Sequence, residues 1–320
     1  MHYDVFNGDA DGIIALLQVR LAQPIQSQLI TGVKRDIDLL KQVESQADVT
    51  SVTVLDISLE KNLAALNALL EREVEVFYCD HHRVGDIPNS EYFTHRINTD
   101  AEVCTSLLIN EELDGRYLHW AIAAAYGDNL HATADKLSRD NNIAEDDREY
   151  LKELGTLINY NGYGASLDDL HIPPSKLYSQ LLDFESPYQL RDEPSSPFYQ
   201  LQECYQKDRQ QLSQMAPIVD SNHVRVYELP PEAWARRISG VFGNELANQE
   251  PSKAHAVLTL NPSTNDFTVS VRAPLINRIA ADEVCSRFAT GGGRKAAAGI
   301  NALPISEKAQ FIDALDRFYK

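Results

Sequence analysis

The sequence predicts an α/β protein in two parts: a parallel-sheet N-terminal domain and a smaller α+β C-terminal domain. Three observations carry this. Short β-type runs alternate with helix-like stretches through the first part, the pattern of repeated β-α units. The chain has 320 residues, more than the roughly 250 at which a single core stops growing, so two cores with a cleft between them are expected. The charge is uneven: residues 221–320 hold 12 Lys and Arg against 10 Asp and Glu, whereas residues 1–220 hold 17 against 37.

Taken in order, Tyr3 to Phe6, Ser27 to Thr31, Ser51 to Leu55 and Glu75 to Cys79 read as strands. Gly12 to Leu21, Ile37 to Val43 and Leu59 to Leu70 have helical apolar spacing, and more helices are expected near Ala101 to Leu113 and Arg116 to Tyr126. These make a domain over residues 1–160. Periodicity then weakens, punctuated by PPS at 173–175 and EPSSP at 193–197. This predicts a helical connector over 161–219, with one helix near Tyr199 to Met215. A second domain fills 220–320: strand Arg225 to Leu229, helix Glu232 to Ala247, strands Ala254 to Leu260 and Phe267 to Arg272, helix Ile276 to Phe288, a glycine loop, and a last helix from Ser306.

The composition excludes several classes. Hydrophobic residues make up 43% and charged residues 24%, ordinary for a globular protein, and no apolar run approaches the roughly 18 residues of a membrane span. Cys79, Cys104, Cys204 and Cys285 are scattered and form no CxxC pair, so neither a disulfide framework nor a zinc knuckle is expected. The N-terminus, MHYDVFNGDADG, has neither a basic segment nor an apolar one, and the cytoplasm is the expected compartment. A net charge of -18 repels long phosphate backbones, which makes extended DNA or RNA a poor partner.

Three strands end alike, in acidic residues or histidines. Asp9 and Asp11 come after the first, Asp56 after the third, and Asp80, His81 and His82 after the fourth. In an open parallel sheet the ligand crevice lies outside the carboxyl ends of the strands, so these side chains should converge, and Asp128 could reach the same crevice. Any one such Asp is commonly a turn residue or helix cap, as Asp11 would be for a helix starting at Gly12. Together they crowd carboxylates that repel one another unless cations intervene. Two divalent ions are the familiar solution in phosphoryl chemistry, and carboxylate oxygen with imidazole suits Mn²⁺.

The ordered set resembles the DHH phosphoesterase family with its DHH-associated C-terminal domain. Asn7 to Gly12 (NGDADG) is similar to the first motif, Asp56 to the second, Asp80-His81-His82 to the third and Gly127-Asp128 to the fourth. Gly291 to Gly299 (GGGRKAAAG) is similar to the family's GGGHxxAAG, and Ser270-Val271-Arg272 to its SxR segment. The resemblance spans nearly the whole chain. It implies two metal ions held by Asp9, Asp11, the bridging Asp56, His81 and Asp128, with Asp56, Asp80 and His82 as the catalytic group and His82 near the reacting phosphate. Three positions depart from the pattern: Val5 stands where many members place a His and Asn7 where the single-strand exonuclease branch has an Asp, leaving the first metal site weaker or more open, and Arg294 stands where His is usual.

In the C-terminal part, Gly291, Gly292 and Gly293 can bring backbone N–H groups close to an anion, and Arg294, Lys295 and Arg272 add cationic grips for phosphate or base. The function implied is Mn²⁺-dependent hydrolysis of short oligonucleotides, above all linear dinucleotides such as pGpG, to nucleoside monophosphates. A 3',5'-bisphosphate nucleotidase and a non-catalytic nucleotide-binding regulator on the same fold stay open at this point. The expected partner is therefore a short oligonucleotide or dinucleotide, with no long nucleic acid, no membrane, and a homodimer left open.

Overall fold

The alternating pattern resolves into a sheet in a computed structural model describing residues 1–261 and 264–320. The chain divides into two units, Met1–Cys204 and Tyr205–Lys320. In the first, β1 (His2–Phe6), α1 (Ala10–Ala22), β2 (Gln28–Ile30), α2 (Lys41–Glu44), β3 (Ser51–Leu55), α3 (Leu59–Glu71), β4 (Glu75–Asp80) and β5 (Phe93–Ile97) succeed one another. The strands form one parallel sheet in the order β2-β1-β3-β4-β5. One face, carrying Tyr3, Val5, Val52, Val54, Val76 and Tyr78, packs on Leu40 and Val43 from the α2 segment and on Leu66 and Leu69 of α3. The other face carries Asp4, whose carboxylate accepts two hydrogen bonds from Arg20 of α1. Both faces are thus covered, as parallel sheets require.

All four predicted strands of this unit are present. Ile37 to Val43, expected as a helix, is mostly a loop. The Asn62 side chain accepts from the Leu40 N–H and donates to the Ile37 carbonyl, satisfying backbone groups that a helix would use itself. Strand β5 was not foreseen, since its sequence FTHRI places exposed Thr94 and Arg96 in an edge strand with little apolar signal.

The helical layer continues with α4 (Thr105–Glu112), α5 (Leu118–Gly127), α6 (His131–Asp140), α7 (Glu145–Asn161), α8 (Pro174–Leu181), α9 (Pro187–Asp192) and α10 (Pro197–Leu212). Two of the prolines read as loop punctuation, Pro174 and Pro197, start helices, and Pro187 does the same. Pro174 and Pro187 occupy first-turn positions, the latter behind a Ser186/Gln189 capping box, and Pro197 opens α10. Proline's fixed φ and missing N–H suit that place. The segment expected as a connector therefore divides: residues 161–204 belong to the first unit, and the division falls within α10.

The second unit holds β6 (Val219–Asp220), β7 (Val224–Leu229), α11 (Ala233–Gln249), β8 (Ala254–Asn261), β9 (Asp266–Arg272), α12 (Ala281–Cys285), β10 (Gly291–Gly293), β11 (Ala297–Pro304) and α13 (Lys308–Tyr319). Its sheet runs β10-β11-β9-β8-β7-β6, with only the β7–β8 pair parallel. Val226, Leu258, Val269, Val271 and Ile300 form its core with Phe311 and Leu315 of α13. Of the expected helix Ile276 to Phe288 only Ala281–Cys285 is helical, because Arg278 and Ala280 adopt φ of 50° and 70° and turn the chain. The glycine loop is instead an edge strand. Gly291 pairs with Ile300 and Gly293 with Ala298, and a Cβ on Gly291 would stand 1.8 Å from the Cys285 carbonyl oxygen. Among the described residues no helix is long and apolar enough to cross a membrane.

Candidate functional site

Strand order 2-1-3-4-5 reverses direction between β1 and β3, the switch point at which open α/β sheets bind ligands. The acidic and histidine strand ends meet there. Asp9 is the N-cap of α1: its Oδ1 accepts from the Asp11 and Gly12 N–H groups at 3.0 and 3.1 Å. The capping role weighed for Asp11 therefore belongs to Asp9. Asp11 instead receives the N-terminus of α4, with the Thr105 and Ser106 N–H groups both 2.7 Å from its two oxygens. Asp56 stands just past β3 at a φ of 57°, a left-handed conformation that Asp tolerates better than most residues. Its N–H is tied to the Cys79 carbonyl at 3.0 Å.

The two histidines are set differently. His81 Nδ1 lies 2.8 Å from the Val103 carbonyl oxygen, which can only accept, so Nδ1 carries a proton. Its Nε2 then faces Asp56 Oδ1 at 3.4 Å, Asp11 Oδ2 at 3.8 Å and Asp128 Oδ2 at 3.8 Å. These separations are too long for good hydrogen bonds, yet two ligands each about 2.1 Å from one ion stand roughly 3 to 4 Å apart. Asp56, His81 and His82 each offer a donor atom within 4.8 Å of the others, and Asp11 and Asp128 each bring an oxygen to 3.8 Å from His81 Nε2, so these side chains could gather round a divalent ion, with Val103 orienting the His81 imidazole from behind. His82 Nδ1 is 2.8 Å from buried Asp80 Oδ1 and 3.7 Å from Asp56 Oδ1. Its side chain is 31% exposed, against 1% for His81, so His82 is the histidine that solvent reaches.

The electrostatics ask for a cation. Burial raises the pKa of Asp11, and the nearby charges of Asp128 and Asp9 add to that, with His81 opposing. Burial pushes Asp56 well above the usual carboxylate range, reinforced by Asp11 and Asp9. Asp9 goes down instead, to about 2: burial would raise it, but the Lys34 ammonium and the Gly12 N–H outweigh that. Lys34 is the member that sequence reasoning missed. It extends from the loop after β2, pairs with Asp9 Oδ2, donates to Asn159 Oδ1 at 3.0 Å and stands 3.8 Å from Asp128 Oδ1. The signal is present in the sequence, since Lys34 follows β2, a strand whose carboxyl end opens on the same crevice, but a lysine there carries no acid or imidazole signature.

The structure brings together Asp9, Asp11, Asp56, Asp80, His81, His82 and Asp128, all in the first unit. Arg272, Gly291, Gly292, Gly293, Arg294 and Lys295 belong to the second. There Arg272 is cross-strand partner to Ala297, beside the β10–β11 turn that presents exposed Arg294 and Lys295. Its guanidinium is steadied by Asn244 Oδ1 at 2.6 Å and Ser270 Oγ at 2.9 Å. Tyr163 lies in the first unit with its ring centroid 5.5 Å from Lys34 Nζ.

No protein-family model and no curated protein matches the sequence. Solved structures do match over almost all of the chain. RecJ of Thermus thermophilus in complex with Mn²⁺ aligns with 99% of this chain and 52% of its own, at a TM-score of 0.63 and 16% identity. An exonuclease RecJ bound to manganese covers 99% and 89% at 0.59 and 16% identity. The chain has the DHH phosphoesterase fold. That fold also relates it to PggH, a pGpG-specific phosphodiesterase from Vibrio cholerae, at a TM-score of 0.56 and 14% identity, covering 99% of this chain and 98% of that one. The parallel sheet and the mixed second sheet are the two parts expected of the DHH fold.

Proposed function

We propose that this chain is a divalent-metal-dependent phosphodiesterase that hydrolyses short oligonucleotides, preferentially linear dinucleotides such as pGpG, to nucleoside monophosphates. The observation that carries the reading is the switch-point cluster, where Nε2 of His81 faces three carboxylates. Asp11, Asp56, His81 and Asp128 would hold the ion, and Mn²⁺ suits their oxygen and imidazole donors. When bound, such an ion supplies an acidified water and offsets charge on phosphoryl oxygens.

The protein's own groups do the rest. Asp80 holds His82 by Nδ1 and leaves its other nitrogen for a phosphate arriving from solvent, so His82 positions or protonates the reacting group and Asp80 fixes its tautomer. Arg272, Arg294, Lys295 and the backbone of Gly291, Gly292 and Gly293 are assigned to substrate phosphate or base. The acidic excess of residues 1–220 supports a short substrate, because each further phosphate would meet a repulsive surface. The PggH likeness in fold is consistent with that size. Four free cysteines support a reducing, cytoplasmic setting.

The test is single-turnover cleavage of 5'-labelled RNAs of two to seven nucleotides at fixed Mn²⁺ and salt. Cleavage should fall as length increases. Equal or faster cleavage of the seven-mer would remove the short-substrate reading, and no cleavage of any length would remove the phosphodiesterase reading.

A further inference from the structure

Lys34 is too firmly built into the centre to be a bystander. Its N–H donates to the Gly162 carbonyl at 2.8 Å, and its own carbonyl accepts from Asn7 Nδ2 at 3.2 Å. The loop before it lies directly on the turn carrying Asp9: a Cβ on Gly8 would stand 1.9 Å from the Gly32 carbonyl oxygen. From that base the side chain reaches Asp9, Asn159 and Asp128 over the Tyr163 ring, and it is 23% exposed.

Both oxygens of Asp9 are then engaged, Oδ1 by the N–H groups that begin α1 and Oδ2 by the ammonium. A divalent ion held by Asp9 Oδ2 and Asp128 Oδ1 would need a position about 2.1 Å from each, in the space the ammonium fills. On the side of Asp11, Asp56 and His81 both Asp11 oxygens are engaged as well, but by the Thr105 and Ser106 N–H groups and not by an ammonium, and each carboxylate oxygen keeps a second lone pair for an ion. We infer that Lys34 takes the place of one of the two ions that the sequence leads one to expect, so that the centre binds a single divalent ion beside a covalently tethered cation. The inference rests on the metal-dependent reading above and refines it. A tethered ammonium carries half the charge of a divalent ion and is present whatever the metal supply.

The test is metal stoichiometry, read without turnover. EDTA-stripped protein titrated with MnCl₂ should bind one ion per chain by equilibrium dialysis, with the electron paramagnetic resonance spectrum of isolated Mn²⁺. Lys34→Met, which keeps an unbranched side chain one atom shorter and removes its charge, should bind two ions and show a spin-coupled pair. Two ions of comparable affinity in the wild type, one ion in both proteins, or none in either would each overturn the inference. Should Lys34→Met fail to fold, Asp9→Asn decides, because Asn still caps α1. Mn²⁺ affinity within about threefold of wild type supports the inference, and loss of bound Mn²⁺ overturns it. Stoichiometry and cleavage separate the two readings: one ion with no cleavage would remove the proposed function and leave Lys34 in its role.

Discussion

Replacing Asp56 by Asn changes the charge of the centre while keeping its shape. Asp56 is 2% exposed and sits at a φ of 57°, and Asn is among the few residues that accept that backbone. The Asn carbonyl can still accept from Thr105 Oγ1, 3.4 Å away in the wild type. Asp56 and Asp11 each place an oxygen within 3.8 Å of His81 Nε2, so those oxygens are no more than about 7 Å apart. Two unit charges at that separation repel by roughly 2 kcal/mol at an effective dielectric of about 20. Without metal, Asp56→Asn should therefore be more stable than wild type by about 2 kcal/mol, or roughly 4 to 8 °C in Tm for a domain of this size. With Mn²⁺ the order reverses, because the wild type gains a ligand-linked increment that the variant lacks, and cleavage in the variant should fall by at least about 100-fold. Asp56→Ala should melt below Asp56→Asn, since the left-handed backbone costs Ala about 1 to 2 kcal/mol. The assay is thermal unfolding at pH 7.5 in EDTA and in MnCl₂, paired with cleavage of a 5'-phosphorylated dinucleotide. A variant that melts at or below wild type in EDTA and still cleaves near the wild-type rate would refute the argument.

Three further outcomes are expected. Arg20→Met should destabilise the first unit by about 3 to 5 kcal/mol in urea, because it leaves the fully buried Asp4 carboxylate without its charge partner. Burial opposes ionisation of Asp4, but His2, Arg20 and Ser27 lower its pKa below 3.8. The stability it contributes is therefore present above that value and lost as pH falls through the lower folded one, which unfolding midpoints between pH 7 and pH 3 would show. Gly155→Ala should cost more than about 3 kcal/mol or prevent folding, since its Cβ would stand 1.9 Å from the Ala123 carbonyl oxygen, whereas Gly292→Ala meets nothing within 4 Å and should stay within about 0.5 kcal/mol; chemical denaturation compares them. Arg272→Ala and Arg294→Ala should each lower kcat/KM about tenfold or more, mostly through KM, and unchanged kinetics in both would place the phosphate grip elsewhere.

The residues alone made legible whatever depends on position along a strand. Asp9, Asp11, Asp56, Asp80, His81 and His82 could be read as one centre because parallel strands all deliver their carboxyl ends to the same edge, so spacing after an apolar run is already a spatial statement. Partners that arrive from elsewhere were not legible. Lys34, Asn159 and the N–H groups of Thr105 and Ser106 reach the centre from a loop and two helices whose packing no local pattern encodes. Pro174 and Pro197 misled for a related reason: the same fixed φ begins a helix or breaks one, depending on whether the residues after it can go on to make a packed helical face. At Gly291 to Gly293 the residue type reads as a loop that can approach an anion, and only the approach of Cys285 to Gly291 and of Ala298 to Gly293 determined that the segment is an edge strand. The sequence by itself thus determined the parallel sheet, the second domain and the acidic face of the centre, because periodicity and strand-end chemistry are local. Tertiary structure alone decided where the positive charge stands, because whether Lys34 solvates at the surface or pairs with Asp9 depends on the loop being laid across Gly8, a contact between segments distant from one another in the chain.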